Sequence, residues 1–292
     1  MNPNVSEPTM KWVDLAVKPH FSWPNAPVEL KFEGRCITLQ PATEELSCTV
    51  SVYDPAGLTF DVGGSILSRF LSRLAWSMDG GVVELFTGGS NNPAHPGRMG
   101  RGSYGRSGWA AVKPWDFLYL PQPQSDNASL ALALFREGMS VNSSPFSFLS
   151  YFKVLNIGFP TGPKIAEWVN FNLGHVRYSP ALDRLNELKK SNADIGAYLN
   201  VQGRCAVAHA NSQPIVNPDR YDDKRRLELD LPLMKAIAEN FIERELGVLT
   251  DSSFAERCRT SDKPLPELLK RAELTDGRIT YHPIDALGMA LA

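Results

Sequence analysis

The chain has 292 residues, a formal net charge of −2 and a pI near 6.2, with 43% apolar and 21% charged residues. This length and balance are typical of a globular protein with one large domain or two ordinary ones. The near-neutral charge argues against tight, indiscriminate binding to nucleic acid, because no global positive field would attract the phosphates. The longest apolar run, around residues 130–135, is far shorter than the ~20 residues that a membrane span needs.

The N-terminus and the cysteines give no sign of export or of a metal site. The first residues, MNPNVSEPTMKW, lack a charged start followed by an apolar core, so no signal peptide is predicted. Cys36, Cys48, Cys205 and Cys258 form no C-x-x-C pair, and none has a histidine at zinc-finger spacing. We therefore expect a cytoplasmic protein with free thiols, no metal, no other cofactor and no membrane partner.

Residues 1–122 are predicted to form an N-terminal mixed α/β domain. Alternating and β-prone runs indicate strands, and apolar residues at helical spacing indicate a helix. The predicted elements are a β-hairpin at 28–40 with its turn at Glu33-Gly34, a strand at 47–54, a helix at 65–78 and a buried strand at 82–86.

A glycine-rich loop lies between residues 80 and 108. Its G-x-G-x-x-G pattern at 100–105 does not predict a dinucleotide site, because no strand directly precedes it and no helix directly follows. Arg98, Arg101 and Arg106 lie among these glycines and resemble an arginine–glycine segment that contacts RNA. We assign the three arginines to substrate binding. The alternative is a surface loop without a binding role.

The second half is predicted to be helical. The segment 121–127, PQPQSDN, is the best linker, and amphipathic patterns beyond it predict an all-α bundle over 125–250. The predicted helices span 128–139, 144–159, 162–173, 180–191, 194–210 and 231–247. Asp230 is expected to cap the last helix, with Pro232 in its first turn. Residues 251–292 form a C-terminal extension that wraps the bundle or returns to the first domain, and the fold class is α+β.

Arg204 and His209 lie five residues apart in the alanine-rich run GRCAVAHA. At 100° per residue they point about 140° apart on a straight helix, so they cannot converge on one small ligand. Two arrangements would bring them together. Either the helix ends between them, or two copies of it face each other across a twofold axis. The small side chains of Ala206, Ala208 and Ala210 would permit that close approach.

This pair of residues suits phosphate chemistry. An imidazole takes or gives a proton near neutral pH, and a guanidinium holds a phosphate through two parallel hydrogen bonds. His209 could activate the 2′-OH of RNA or protonate the leaving oxygen, while Arg204 stabilises charge on the phosphorane. We assign both as catalytic residues of a site without metal, and we assign Asn211, just beyond them, to substrate binding.

The stretch resembles the signature of HEPN domains, an R-x4-6-H motif on the later helices of an all-α bundle. The resemblance covers residues 125–250 and includes FLSYFKVLNIGF upstream and LPLMKAIAENFIERELG downstream. An α/β part before such a bundle also looks like the MauJ-type methylamine-utilisation proteins and the ApeA-like HEPN group. HEPN proteins dimerise, and many are metal-independent ribonucleases in antiviral defence or toxin–antitoxin systems. The resemblance therefore implies a homodimeric ribonuclease with Arg204 and His209 as its catalytic pair.

Two alternatives stay open. In nuclease members of the family the residue after the arginine is often polar, whereas here it is Cys205. The bundle could therefore be a catalytically inactive module that binds RNA, a nucleotide or a regulatory protein, for example as an accessory protein of methylamine utilisation. Alternatively, Arg204 pairs with a nearby acid and His209 caps a helix end. The expected partners are RNA and a second copy of the chain.

Overall fold

The chain forms two compact units in the computed structural model. One unit comprises Met1–Gln122 with Asp251–Ala292, and the other comprises Pro123–Thr250. The structure describes residues 9–97, 99–100, 115, 117, 119–191, 194–209, 211, 214–217, 220–260, 272–275 and 278–281. No helix within these ranges is long and apolar enough to cross a membrane.

The first unit is built around a β-sheet. Its strands are β1 (Met10–Pro19), β2 (Val28–Phe32), β3 (Arg35–Gln40), β4 (Cys48–Leu58), β5 (Val82–Ser90), β6 (Ala272–Thr275) and β7 (Arg278–Tyr281). The seven strands have the order β5-β1-β4-β3-β2-β7-β6. All neighbours are antiparallel except β2 and β7, which are parallel. The strands predicted at 47–54 and 82–86 are confirmed, and both extend further than predicted.

Strand β1 is one of the elements that the sequence pattern did not reveal. It lies between β4 and β5, and its residues from Trp12 to Val17 are all buried. A strand that is buried on both faces does not show the alternation of apolar and polar residues by which strands are recognised.

Helix α1 (Phe60–Met78) covers one face of this sheet. Thr59 caps its N-terminus by accepting a hydrogen bond from the backbone N–H of Val62. The predicted apolar stripe, which includes Ile66, Phe70 and Leu74, is buried. The strand register aligns apolar, buried residues on the facing strands: Val13, Leu15, Val50, Val52, Ile37, Leu39 and Leu30.

The β2–β3 hairpin is confirmed, with its turn at Glu33-Gly34. These residues have φ values of 49° and 75°, and positive φ is what the two central residues of a type I′ turn require. The Glu33 carboxylate accepts hydrogen bonds from Arg69 at 2.6 Å and from Arg73 at 2.9 Å, both on α1. The hydrogen bond from Arg69 is the main cause that lowers the pKa of Glu33. The turn is therefore tied to the helix that covers the sheet.

The second unit is a helical bundle, which confirms the α+β class. Its α-helices are α2 (Asp126–Ser140), α3 (Ser144–Asn156), α4 (Gly162–Asn172), α5 (Ser179–Lys189), α6 (Ile195–Tyr198), α7 (Ala206–Ala208) and α8 (Tyr221–Glu245). A 3-10 turn spans Leu173–His175, and a π-helix spans Leu199–Cys205. Phe148, Phe152 and Leu155, which follow helical spacing on α3, are buried.

The predicted start of helix α8 is wrong. It begins at Tyr221 instead of residue 231, so Asp230 lies inside the helix and does not cap it. Pro232 also lies within the helix, although a proline has no N–H for the backbone hydrogen bond at that position. Leu227 and Asp230 are both buried. Their tertiary contacts hold the residues before the proline in helical conformation.

The described part of residues 251–292 belongs to the first unit. Helix α9 (Asp251–Thr260) places Phe254 against Tyr119, with ring centroids 4.1 Å apart. Strand β7 pairs with β2, where Val28 lies opposite Ile279. This C-terminal segment therefore extends the sheet.

Candidate functional site

The segment predicted as one helix over 194–210 is interrupted in the structure. The four residues of α6 lead directly into the π-helix, which is followed by the short α7. His209 then adopts an extended backbone, with φ −130° and ψ 113°. We call residues 195–208 the interrupted helix. Its π-helical part favours a functional site here, because π-helical segments are rare and occur frequently at such sites.

Contacts with α4 fix the beginning of the interrupted helix. The Asp194 carboxylate accepts hydrogen bonds of 2.7 Å from the backbone N–H of Ala197 and from the Asn170 side chain. These hydrogen bonds, the one from Ala197 first, lower the pKa of Asp194. Asn170 also accepts from the Gly196 N–H at 2.9 Å, and Gly196 lies so close to Ala166 that a side chain would not fit.

The middle of the interrupted helix packs against α3. A Cβ atom on Gly203 would collide with the buried ring of Phe148, so glycine lets the backbone approach the bundle core. Ala206, one turn later, is also buried, with 3% exposure. Ala206 therefore packs within its own chain, and little of its side chain is exposed for the close helix approach that was expected at a twofold axis.

Arg204 and His209 come together within one chain. Arg204 Nη1 lies 3.3 Å from His209 Nε2 and 3.6 Å from Cys205 Sγ. Of the two arrangements that would allow this contact, the structure has the one in which the helix ends between the residues, at Ala208. A guanidinium only donates hydrogen bonds, so His209 Nε2 accepts. The neutral imidazole then carries its proton on Nδ1.

The arginine–histidine pair is open to a ligand. His209 is exposed, and Arg204 and Cys205 are half-buried. Within the described part of the chain, no carboxylate forms an ion pair with Arg204. The remaining guanidinium N–H groups can therefore meet an anion from outside.

The other predicted site residues are only partly placed. Asn211 is exposed and lies two residues beyond His209 along the chain. Arg98, Arg101 and Arg106 lie outside the described residues. Their assignment to substrate binding stays a prediction.

A buried carboxylate joins α8 to the interrupted helix. Asp230 is fully buried and accepts hydrogen bonds from Arg184 Nε at 2.8 Å and from the Tyr198 hydroxyl at 2.9 Å. Arg226 Nη1 lies 3.9 Å from the same carboxylate and donates to the backbone carbonyl of Gln202 at 2.6 Å. Tyr198 and Gln202 both belong to the interrupted helix, which is thus held at two points.

Charge and burial compete at Asp230. Burial raises its pKa, and the hydrogen bonds from Arg184 and Tyr198 oppose the rise. Loss of hydration lowers the pKa of Arg184, but hydrogen bonds to Glu187 and Asp230 outweigh it and raise the pKa overall. Burial and the charge of Asp230 raise the pKa of Tyr198, so its hydroxyl stays a donor. Since several donors surround one carboxylate, this geometry favours the ionised, paired state.

The sequence contained a signal for this cluster. Buried positions of α8 include Leu227, Asp230, Met234 and Ile237, which follow helical spacing. A carboxylate on an apolar stripe requires a buried partner. The signal was missed because the helix was expected to begin after Asp230, where an aspartate is an ordinary cap.

The helical unit has a second arginine–histidine contact. Arg244 Nη1 lies 3.5 Å from His175 Nδ1, and the two residues come from distant parts of the chain. Within the described ranges, no three His, Cys, Asp or Glu side chains come together as a metal site would require.

The helical unit is similar to a known family. Residues 131–243 match the family model described as methylamine utilization protein MauJ. This range runs from within α2 to within α8 and contains Arg204, His209 and Asp230. The expected resemblance to the MauJ-type proteins, a HEPN-like family, is therefore confirmed over these residues. No curated protein and no solved structure matches the chain.

Proposed function

We propose that the helical unit is a HEPN-like, metal-independent endoribonuclease that works as a homodimer in the cytoplasm, in defence or toxin-type regulation. The observation that carries the proposal is the 3.3 Å contact between Arg204 Nη1 and His209 Nε2. It lies in the region that matches the MauJ family. A guanidinium beside an exposed, neutral imidazole supplies an anion-binding group and a proton acceptor in one place.

RNA itself supplies the attacking group for such a site. His209 Nε2 accepts the proton of the 2′-OH while Arg204 moves from the imidazole to a phosphate oxygen. The 2′-oxygen then bonds to phosphorus as the bond to the 5′-oxygen breaks, and Arg204 stabilises the charge on the phosphorane. The leaving 5′-oxygen takes a proton from a general acid, for which we propose a protonated His209 of the partner subunit. The products are a 2′,3′-cyclic phosphate and a 5′-hydroxyl.

The test is cleavage of single-stranded RNA by the full chain in EDTA. We expect products that carry a 2′,3′-cyclic phosphate, and no cleavage of DNA, because DNA lacks the 2′-OH. His209→Ala should lower the rate by ~10²–10⁴ while RNA binding is largely retained, since the imidazole acts on protons in the transition state. Arg204→Ala should weaken both binding and cleavage, because a phosphate clamp also acts in the ground state.

His175→Ala is the matched control. It removes the histidine of the other arginine–histidine contact, with Arg244, and should leave cleavage unchanged. Equal losses in His175→Ala and His209→Ala would contradict the assignment of the site. RNA that is bound but never cut would contradict the nuclease proposal.

One observation favours a second candidate function. The residue after Arg204 is Cys205, and its sulfur lies 3.6 Å from Arg204 Nη1 in place of the polar side chain frequent in nuclease members. The second candidate is a catalytically inactive HEPN-like module that binds RNA, a nucleotide or a protein, for instance as an accessory protein of methylamine utilisation. RNA binding without cleavage in the same assay would support it.

A further inference from the structure

A continuous set of contacts leads from the core of the helical unit to the turn that bears Arg204. Asp230 has 0% exposure, and its carboxylate lies 3.9 Å from Arg226 Nη1. The same Nη1 donates a 2.6 Å hydrogen bond to the carbonyl of Gln202. Gln202 is a π-helical residue two positions before Arg204.

We propose that Arg226 and Asp230 are positioning residues for the Arg204–His209 site. Arg226 holds the π-helical backbone at Gln202, and Asp230 holds Arg226. This inference rests on the proposed function for its effect on catalysis. Its effect on the conformation of the interrupted helix does not depend on that function.

The π-helical geometry explains why such a brace is needed. A π-helix contains more residues per turn than an α-helix, and its hydrogen bonds join residues five apart instead of four. If the segment relaxed to α geometry by one residue, the residues after it would rotate by about 100°. Arg204 would then leave His209, because the 3.3 Å contact depends on where the helix ends.

The next residue of the π-helix, Gly203, is fixed by packing. Gly203 lies against the buried Phe148 ring with no room for a Cβ atom. The backbone is therefore held at Gly203 by packing against an aromatic ring and at Gln202 by the hydrogen bond from Arg226. Packing limits how closely the turn approaches the core, and the directional hydrogen bond to Gln202 selects its conformation.

The decisive variants change the brace without touching Arg204 or His209. Arg226→Gln removes the charge and the long donor, and Arg226→Lys keeps the charge beside Asp230 but loses the guanidinium fork. Asp230→Asn keeps the size of the side chain. Glu187→Gln is the control, because it alters the other, 62% exposed partner of Arg184.

Amide hydrogen exchange on the full chain measures the conformational effect. Exchange in peptides that cover residues 199–208 should accelerate by about 10-fold or more in Arg226→Gln, while peptides of α3 should keep the wild-type rate. Arg226→Lys should give an intermediate result. Glu187→Gln should match the wild type.

Single-turnover cleavage of RNA measures the catalytic effect. Arg226→Gln should lower the rate at saturating protein by about 10²-fold. The protein concentration that gives half the maximal rate should change little, since misplacement of catalytic groups affects the transition state most. If Asp230→Asn does not fold, the two Arg226 variants are sufficient to test whether the contact with Gln202 positions the site.

Two results would overturn the inference. One is unchanged exchange over 199–208 in Arg226→Gln. The other is a loss of rate that is matched by equally faster exchange in α3, because this would indicate general destabilisation. If the wild type does not cleave RNA, the proposed function fails, while the exchange experiment still decides whether Arg226 braces the π-helix.

Discussion

Each unit contains a buried carboxylate, and the two carboxylates differ in their surroundings. Asp230, in the helical unit, accepts hydrogen bonds from two side chains. Asp14, on β1 of the sheet unit, is 1% exposed, yet neither of its oxygens makes a hydrogen bond within the described residues. Burial raises its pKa to about 6. The Ser51 hydroxyl and the Gly97 N–H oppose the rise, but neither meets the geometry of a hydrogen bond to the carboxylate.

Asp14 belongs to a row of similar residues across the sheet. The register places Asp14 opposite Ser51 and Ser51 opposite Thr38, so their side chains share one face. Buried polar atoms without a partner in the described ranges also occur on Trp12, Thr38, Gln40 and Ser51. Burial of a carboxylate is therefore expected to act in opposite ways in the two units. Paired burial holds Asp230 against the interrupted helix, whereas a buried polar group without a partner, as Asp14 is within the described residues, costs stability.

The largest effect is expected from removal of the paired carboxylate. Asp230→Ala removes the acceptor shared by the half-buried side chains of Arg184 and Tyr198 and should lower the free energy of unfolding by about 3–5 kcal/mol. Urea unfolding of the full chain, followed by circular dichroism, measures the change. Glu187→Gln, which alters the exposed partner of Arg184, should cost less than about 1 kcal/mol. Similar small losses in both variants would show that the pairing of Asp230 is unimportant.

The buried carboxylate of Asp14 should make the stability of the protein depend on pH. A pKa of about 6 in the folded protein, against an ordinary value of 3.8, means that the folded state binds the proton more tightly. The stability from Asp14 is therefore complete below pH ~4 and falls by up to about 3 kcal/mol as the pH rises through 6. Asp14→Asn should lack this fall. Parallel stability curves for wild type and variant from pH 4 to pH 8 would contradict the prediction.

The smallest changes in stability are expected when one glycine of each unit is replaced by alanine. Gly203→Ala places a Cβ atom against Phe148 and should destabilise the helical unit by about 1–3 kcal/mol through overpacking. Gly64, in α1 of the sheet unit, has open space where a Cβ atom would lie. Gly64→Ala should therefore stabilise by about 0.4–1 kcal/mol. Thermal unfolding of the two variants checks the signs, and the same sign in both would contradict the packing argument.

Elements whose signals lie within a few neighbouring residues were predictable from the sequence. The turn at Glu33-Gly34 and the apolar stripe around Phe70 depend on local backbone preference and on helical spacing. Strand β1 was not predictable, because burial on both faces removes its alternation. The start of α8 was misplaced for a related reason. Asp230 has the appearance of a cap in the sequence, and only its distant partners reveal that it is buried.

The sequence by itself determined the α+β organisation, most of the helices and the chemical identity of the candidate pair, Arg204 and His209. Whether the two side chains meet was decided by the tertiary structure. The helix ends at Ala208, and its π-helical part is held by contacts with Phe148 and Arg226, which lie far from it along the chain. Helical periodicity alone places the pair about 140° apart. Packing and hydrogen bonds between residues distant in the chain change that angle. These contacts cannot be read from a local sequence pattern.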